Sequence, residues 1–353
     1  MIKKRLSLLA TTLLATIVMA GCSLEDALHF FGKEQIDPPV TITLTEEGAD
    51  LENQNVDTND NEANLSVMTE LYLIDKNGFV VPQTLALPET ESVARQAVEY
   101  LVQNGPIQEY LPNGFRAVLP EDTNVSIDVV DNIATVNFSN QFKNYALEDE
   151  MRILQAVTWT LTQFDSINGV KFQLNGHELK QMPVGGTPIG ENYSRANGIN
   201  HQVGGVTNIR DAKQVTLYYL GGEASNYYYV PVTKLVHMEN ESMAEVVVNE
   251  LVKGPYFTSN LQSDFMKNVE LVEEPVFANG LVTLNFNEAV YSNFEEKTVS
   301  NLMMDALVLS LTEQAGIDAV SVMVAGETDI QTESGEAVSE AVSRPIKVNK
   351  QSY

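Results

Sequence analysis

The sequence contains two copies of one pattern, about 149 residues apart. The first copy has LVQNGP at residues 101–106 and ATVNF at 134–138, and the second has LVKGP at 251–255 and VTLNF at 282–286. The matches follow the same order in both copies. Solenoid and propeller repeats are much shorter, at roughly 20–50 residues. The spacing therefore indicates two homologous modules in tandem, each long enough to fold as a domain.

A further match lies near the end of each module. Ser-Arg followed by Ile-Asn within residues 194–200 corresponds to Ser-Arg followed by Val-Asn within residues 343–349. This match places the glycine-rich stretch 185–205 mostly inside the first module and leaves about ten residues between the modules. The copies share apolar positions, glycines and turn residues, whereas a catalytic site would more often survive in one copy only. The shared features are therefore expected to be required for the fold rather than for catalysis.

Hydrophobic spacing predicts the same order of elements in both modules: strand, helix, hairpin, helix, strand. In the first module we expect strands at 71–74 and 79–87, helices at 90–103 and 147–164, a hairpin at 126–138 and a closing strand through 170–174. In the second module we expect a helix opened by a capping box at Ser242 and Glu245, a hairpin turning at Asn279-Gly280, a helix at 297–314 and a strand at 320–324. The predicted class is α+β, with two tandem modules that each carry a small β-sheet and two helices packed on one face.

The first 22 residues have the layout of a bacterial lipoprotein signal. A basic start at residues 3–5 precedes an apolar run at 8–19, and Ala20-Gly21 lie directly before Cys22, the only cysteine of the chain. In that pathway the thiol of Cys22 receives a diacylglyceryl group, and the chain is cut before it. We therefore predict a signal peptide at 1–21 and a lipid anchor on Cys22, with the mature chain outside the cytoplasm. The alternatives are an ordinary signal peptide followed by an incidental cysteine, or a buried free thiol.

Residues 22–66 are predicted to be an acidic tether, because seven acidic residues lie between positions 46 and 62 without a basic one. The modules then occupy 67–204 and 210–350. After removal of the leader, 48 acidic residues face 18 basic ones, and the formal charge changes from −27 to −30. Such a surface repels phosphate groups, which excludes nucleic acid as an expected partner. Membrane affinity must then come from the acyl anchor.

The sequence predicts neither an enzyme nor a metal or cofactor site. None of the four histidines pairs with another at the i, i+4 spacing of a helical zinc site. The motifs G-x-S-x-G and G-x-x-x-x-G-K are absent, and the lone cysteine is assigned to the anchor. No acidic residue recurs within the matched blocks, although abundant carboxylates leave a glycosidase-type pair open.

Three other positions have a structural interpretation. Asn137 and Asn285 recur one residue before the last apolar residue of a hairpin strand. We expect both side chains to hold the end of the strand by bonding to backbone, rather than to bind a ligand. Trp159 lies on a predicted helix and is expected in the core.

Two groups of tyrosines, Tyr218-Tyr219 and Tyr227-Tyr228-Tyr229, lie early in the second module. Neighbouring residues of a strand point to opposite faces, so at least one tyrosine of each group is expected to be exposed. Exposed tyrosines are enriched at protein interfaces. Tyr227, Tyr228 and Tyr229 are therefore the candidate partner interface.

These features together resemble the tandem GerMN-domain family of sporulation lipoproteins. The resemblance is carried by LYL at 71–73 and LYY at 217–219, the Gly-Pro helix ends, VNF at 136–138 and LNF at 284–286, and the Ser-Arg closings. It implies a fold like the ring-building domains of secretion machines and a protein needed for sporulation, held on the mother-cell membrane facing the forespore. It also implies protein partners in the channel complex that joins the two cells, allows a homo-oligomeric ring, and brings no catalytic residues.

Three hypotheses therefore stand. The first is a non-enzymatic, membrane-anchored assembly protein of sporulation or germination. The second is a peptidoglycan-remodelling envelope enzyme or a cell-wall-binding lipoprotein, because the predicted compartment and the abundant carboxylates allow either. The third is a lipoprotein that binds a small solute between its two modules. Release of fragments from cell wall by the soluble part would separate the second hypothesis from the first.

Overall fold

Both modules begin with a long antiparallel hairpin. In the first module, β1 (Ser66–Asp75) pairs with β2 (Val80–Pro88), and a short β3 (Phe115–Arg116) joins the far side of β1. The computed structural model describes residues 66–202, 212–223, 226–238 and 240–349. The predicted leader at 1–21, Cys22 and all of the predicted tether before residue 66 lie outside the described residues.

The first module continues with helix α1 (Val93–Glu99) and a four-stranded sheet. The strands of this sheet are β4 (Val125–Val130), β5 (Ile133–Phe138), β6 (Gly169–Leu174) and β7 (His177–Glu178), in that order. Strands β4 and β5 form the predicted hairpin, which turns through two residues in the left-handed conformation, Asp131 and Asn132. Strands β5 and β6 are parallel, and helix α2 (Glu150–Leu161) connects them.

The second module repeats this order. Its elements are the hairpin of β8 (Ala212–Glu223) and β9 (Asn226–His237), α3 (Met243–Lys253), β10 (Val276–Ala278), β11 (Leu281–Phe286), β12 (Tyr291–Asn293), β13 (Thr298–Val299), α4 (Asn301–Thr312), β14 (Ala319–Val324), β15 (Gln331–Thr332) and β16 (Val342–Ser343). Strands β10, β11, β14 and β16 form the main sheet, with β11 and β14 parallel. The hairpin turn at Asn279-Gly280 and the capping box of α3 at Ser242 and Glu245 are confirmed.

The helices are shorter than predicted. Helix α1 ends at Glu99 rather than 103, because the next residues form tight turns and Val102 bridges to Leu119. Helix α2 starts at Glu150, after a short 3₁₀ turn over Leu147–Asp149. Helix α4 starts at Asn301 because the Ser300 side chain accepts a hydrogen bond from the backbone of the first turn. Apolar periodicity extends past a helix end whenever the following turn is also packed against the core.

Each module has its own apolar core, to which the sheet and both helices contribute, as predicted for an α+β class. Trp159 is fully buried in the first core, which confirms its expected place. Three residues of the first module pack against the core of the second: buried Val81 of β2 and the partly buried Phe79 and Phe115. The sequence suggested one sheet in each module, but the described residues form two sheets in the first module and three in the second, where β12, β13 and β15 make an additional small sheet. The described residues belong to one compact unit, so the two modules are joined by a continuous interface.

Candidate functional site

The joint between the modules is built from equivalent residues of the two copies. Asn200 of the first module accepts from the backbone N–H of Val80 at 2.9 Å and donates to the carbonyls of Val80 and Pro231 at 2.7 and 2.8 Å. Its counterpart Asn349 accepts from the N–H of Tyr229 at 2.7 Å and donates to the carbonyls of Tyr229 and Pro82, both at 2.8 Å. Each asparagine thus bonds to one hairpin of its own module and to the hairpin of the other module. The joint therefore has approximate twofold symmetry.

The residues directly before these asparagines extend the same symmetry. The backbone of Val348, at the end of the second module, bonds to the backbone and hydroxyl of Thr84 in the first module. In the same way, the backbone of Ile199 bonds to the backbone and hydroxyl of Thr233. The closing segment of each module is therefore bound to the hairpin of the other. The sequence identified these segments as a repeat but gave no indication of the crossing.

A buried ion cluster departs from this symmetry. The Glu313 carboxylate, whose side chain is 8% exposed, accepts from Arg195 of the first module at 2.8 Å and from Arg344 of the second at 3.4 Å. The hydroxyl of Tyr218 donates to the same carboxylate at 3.2 Å. Burial alone would raise the pKa of Glu313, but the two guanidinium groups outweigh it and hold the pKa below its usual range. The carboxylate is therefore ionised and links the modules electrostatically.

The equivalent position in the first module is Gln163, which bonds to the backbone of Glu70 instead of to an arginine. Arg195 lies over the ring of Trp159, 4.4 Å from its centroid. Glu313 is the carboxylate within ion-pair distance of both arginines in the described residues, and Glu70 of the first module adds an electrostatic interaction with each.

The expectation that at least one of Tyr218 and Tyr219 would be exposed is wrong. They are 0% and 1% exposed. Tyr219 packs in the second core, and Tyr218 packs on the other face of the strand against Leu309 and Val348. Because α4 and the closing segment of the same module cover the outer face of the strand at Tyr218, both of these tyrosines are buried.

The candidate interface residues Tyr227, Tyr228 and Tyr229 lie at the start of β9, and the structure separates them. Tyr228 is buried, packs edge-on against Phe115 of the first module, and donates to the carboxylate of Asp75 at 2.7 Å. It therefore belongs to the joint between the modules.

Its neighbours remain partly accessible. Tyr229 is half-buried and donates to Asp305 at 2.9 Å, while its backbone is held by Asn349. Tyr227 is also half-buried, and its hydroxyl makes no hydrogen bond to a described residue. Of the three, Tyr227 is the side chain left for an outside partner.

A groove of about 540 Å³ lies along the boundary of the two modules. Its lining from the first module includes Asn77, Arg152 and Gln155, and its lining from the second includes Tyr256 and Thr258. Most of the lining side chains are neutral and polar, in contrast to the strongly acidic composition of the chain. Sequence reasoning missed this groove because its walls come from segments about 100 residues apart.

Gln155 forms the floor of the groove. It is 4% exposed, and its carbonyl oxygen accepts from the backbone N–H of Asn200 at 3.2 Å. This bond fixes the orientation of the carboxamide. The amide nitrogen makes no hydrogen bond to any described residue, although the side chain lines the groove. The amide nitrogen is therefore accessible from the groove and available to a ligand.

A second buried carboxylate, Glu150, has a structural role. It accepts from Tyr145, Thr187 and the backbone of Gly185 and thereby holds the 184–187 loop on α2. Burial would raise the pKa of Glu150, but the hydrogen bonds from Thr187, Gly185 and Tyr145 lower it to about 2. A general acid needs the opposite shift, so this carboxylate does not fit the acid of a glycosidase pair.

The remaining sequence candidates have structural positions. The Asn137 and Asn285 side chains accept from the backbone of Gly176 and Gly326, at 2.7 and 3.1 Å, and so hold the turn that follows the neighbouring parallel strand. Their predicted bond to backbone is confirmed. Within the described ranges, no cluster of three or more histidine, cysteine, aspartate or glutamate side chains could hold a metal ion. None of the described helices is long and apolar enough to cross a membrane.

Comparison with known proteins gives consistent matches over both modules. The family model described as Germane, sporulation and spore germination, matches residues 70–180 and 216–329. The chain is 47% identical to the spore germination protein GerM of Bacillus subtilis (strain 168), over 98% of this chain and 97% of that protein. The solved tandem GerMN domains of the sporulation protein GerM from Bacillus subtilis match with a TM-score of 0.76 and 51% identity, covering 80% of this chain and 99% of that one.

Proposed function

Because the chain belongs to the Germane family of sporulation and spore germination proteins, we propose that it is a non-enzymatic, membrane-anchored assembly protein of sporulation. In this proposal Cys22 carries the lipid anchor on the mother-cell membrane. The two modules face the forespore and take part in the channel complex between the two cells, in contact with protein partners or with further copies of the chain in a ring.

The proposal is supported by the role of the polar residues that recur in both modules. Asn200 and Asn349 join the modules, and Asn137 and Asn285 hold strand ends, so these repeated polar side chains bond to the protein itself. Two modules fixed in this way present one rigid surface. Such a surface suits a scaffold that must position neighbours, as in oligomers with defined symmetry.

The anchor is tested by replacing Cys22 with alanine. We expect the variant to lose incorporation of labelled palmitate and to leave the membrane fraction or stay uncleaved, while the modules keep their thermal stability because neither contains the thiol. Labelling of sporulating cells followed by fractionation measures both effects. A Cys22→Ala protein that is processed normally and stays on the membrane would show that the anchor is assigned wrongly.

The partner surface is tested by replacing Tyr227 with aspartate. Because Tyr227 is half-buried and bonds to no described residue, we expect its free energy of unfolding to change by less than about 1 kcal/mol. Assembly of the channel complex and the yield of heat-resistant spores should both fall.

The matched control is Tyr228→Phe, which keeps the ring in the joint and removes only the hydrogen bond to Asp75. It should cost about 1–2 kcal/mol of stability and leave assembly intact. Normal spore yield and complex assembly in Tyr227→Asp would remove this residue as a partner contact.

A further inference from the structure

The groove at the module boundary has the features of a site for a neutral, polar ligand. Of its lining residues, only Glu148 is acidic, whereas the chain as a whole carries 48 acidic residues. The guanidinium of Arg152 is already engaged by Asp149 at 2.7 Å and by the carbonyl of Gly78 at 2.8 Å. The groove therefore offers little net charge to attract an anion or a cation.

The available polar groups are a donor at the floor and hydroxyl and carboxamide groups at the walls. Gln155 presents its amide N–H groups from a buried position, held by the bond of its own carbonyl to Asn200. Asn77 and Thr258 are exposed on opposite walls, one from each module. An accessible N–H donor whose orientation is fixed by the bond of its own carbonyl favours a carbonyl acceptor in the groove.

A fully exposed aromatic residue belongs to the segment of the second module that forms part of the groove wall, and its own ring lies outside the lining. Phe257 is 98% exposed and lies between Tyr256 and Thr258, which both line the groove. Full exposure of a phenylalanine ring has an unfavourable hydration cost that a ligand can remove by covering it. The C–H face of a pyranose ring can stack on the phenylalanine ring. The hydroxyls at the edge of the sugar can form hydrogen bonds with the polar walls of the groove.

From these features the geometry points to binding of an N-acetylated glycan chain in the groove, with an acetamido carbonyl accepting from Gln155 and a sugar face stacked on Phe257. This activity goes beyond the assembly role and does not depend on it. Hydrolysis is not part of the inference, because glycosidases use two carboxylates and Glu148 is the one carboxylate among the lining residues.

The probe is N,N′,N″-triacetylchitotriose, titrated calorimetrically into the full chain purified in detergent. We expect saturable binding, at least fivefold weaker binding of cellotriose, which lacks the acetamido groups, and no shortening of the trisaccharide. Absence of binding at millimolar concentration, equal affinity for cellotriose, or release of shorter sugars would each overturn the inference.

The matched variants are Gln155→Glu and Phe257→Ala. Glutamate keeps an oxygen acceptor for Asn200 but loses the amide donor, so affinity should fall about fivefold to tenfold, as for loss of one hydrogen bond. Phe257→Ala should weaken binding by a similar factor without affecting the fold, because the side chain is fully exposed.

Phe294→Ala is the control, since Phe294 is also well exposed, at 63%, and neither it nor its neighbours in sequence line the groove. Its affinity should equal that of the unmodified chain. Unchanged affinity in both Gln155→Glu and Phe257→Ala would place any glycan binding elsewhere. Binding of a short peptide in preference to the trisaccharide would reassign the groove to a peptide ligand.

Discussion

Replacing Glu313 with alanine should lower the free energy of unfolding by about 3–5 kcal/mol, because it leaves two arginines without their carboxylate inside the joint. Arg195 and Arg344 are only about a quarter exposed, so water restores little of the lost interaction. In thermal unfolding the loss should appear as a decrease in Tm of roughly 6–15 °C for a chain of this size.

Two variants make this result specific. Glu313→Gln keeps the shape and one acceptor oxygen, so it should lose less stability than alanine while still losing the charge attraction. Glu327→Gln is the matched control, since Glu327 pairs with Lys297 at the surface and both side chains are about half exposed. A surface pair contributes about 0–1 kcal/mol. If Glu313→Ala were as mild as Glu327→Gln, the buried cluster would not hold the modules together.

Replacing Asn200 or Asn349 with alanine should cost about 2.5–6.5 kcal/mol in either case. Each side chain makes three hydrogen bonds, and each net contribution is about 0.5–1.5 kcal/mol. Both residues also have positive φ, 46° and 57°, which alanine adopts at a cost of about 1–2 kcal/mol. Denaturant titration of the two variants should therefore give nearly equal losses.

Glycine at the same positions separates the two contributions, because glycine adopts positive φ freely but also lacks the side chain. The external control is Asn260→Ala, since Asn260 is exposed, has a φ of 56° and makes no side-chain hydrogen bond to a described residue. The Asn260→Ala variant should lose only the stability that corresponds to the unfavourable positive φ of alanine. A loss at Asn200 or Asn349 no larger than at Asn260 would mean that the side-chain bonds add nothing to the joint.

The sequence predicted the elements within each module well. Local signals were sufficient there: the left-handed turn at Asn279-Gly280, the capping box at Ser242 and Glu245, and the alternation through β14 all depend on neighbours a few residues apart. Helix ends were less accurate, since the residues after Glu99 remain apolar and buried although they no longer form a helix.

The joint and the groove could not be predicted in the same way. The bonds that form the joint connect Thr84 with Val348 and Pro82 with Asn349, which are 264 and 267 residues apart. The hydrophobic periodicity within one module carries no information about contacts with the other module. The expected exposure of Tyr218 or Tyr219 failed for a similar reason, because alternation along a strand does not reveal that α4 and the closing segment, both distant in sequence, cover its outer face.

Because each closing segment is bound to the hairpin of the other module, the order in which the chain can fold is constrained. The hairpin of the first module is hydrogen-bonded to Val348 and Asn349, which lie far along the sequence from it. Conformational entropy is lost when such a long loop closes, before the contacts between its ends contribute any stability. Contacts between residues distant in sequence therefore slow folding. The edge of the first module's hairpin at Pro82 and Thr84 therefore lacks these partners until Val348 and Asn349 reach it, so this half of the joint forms late in folding.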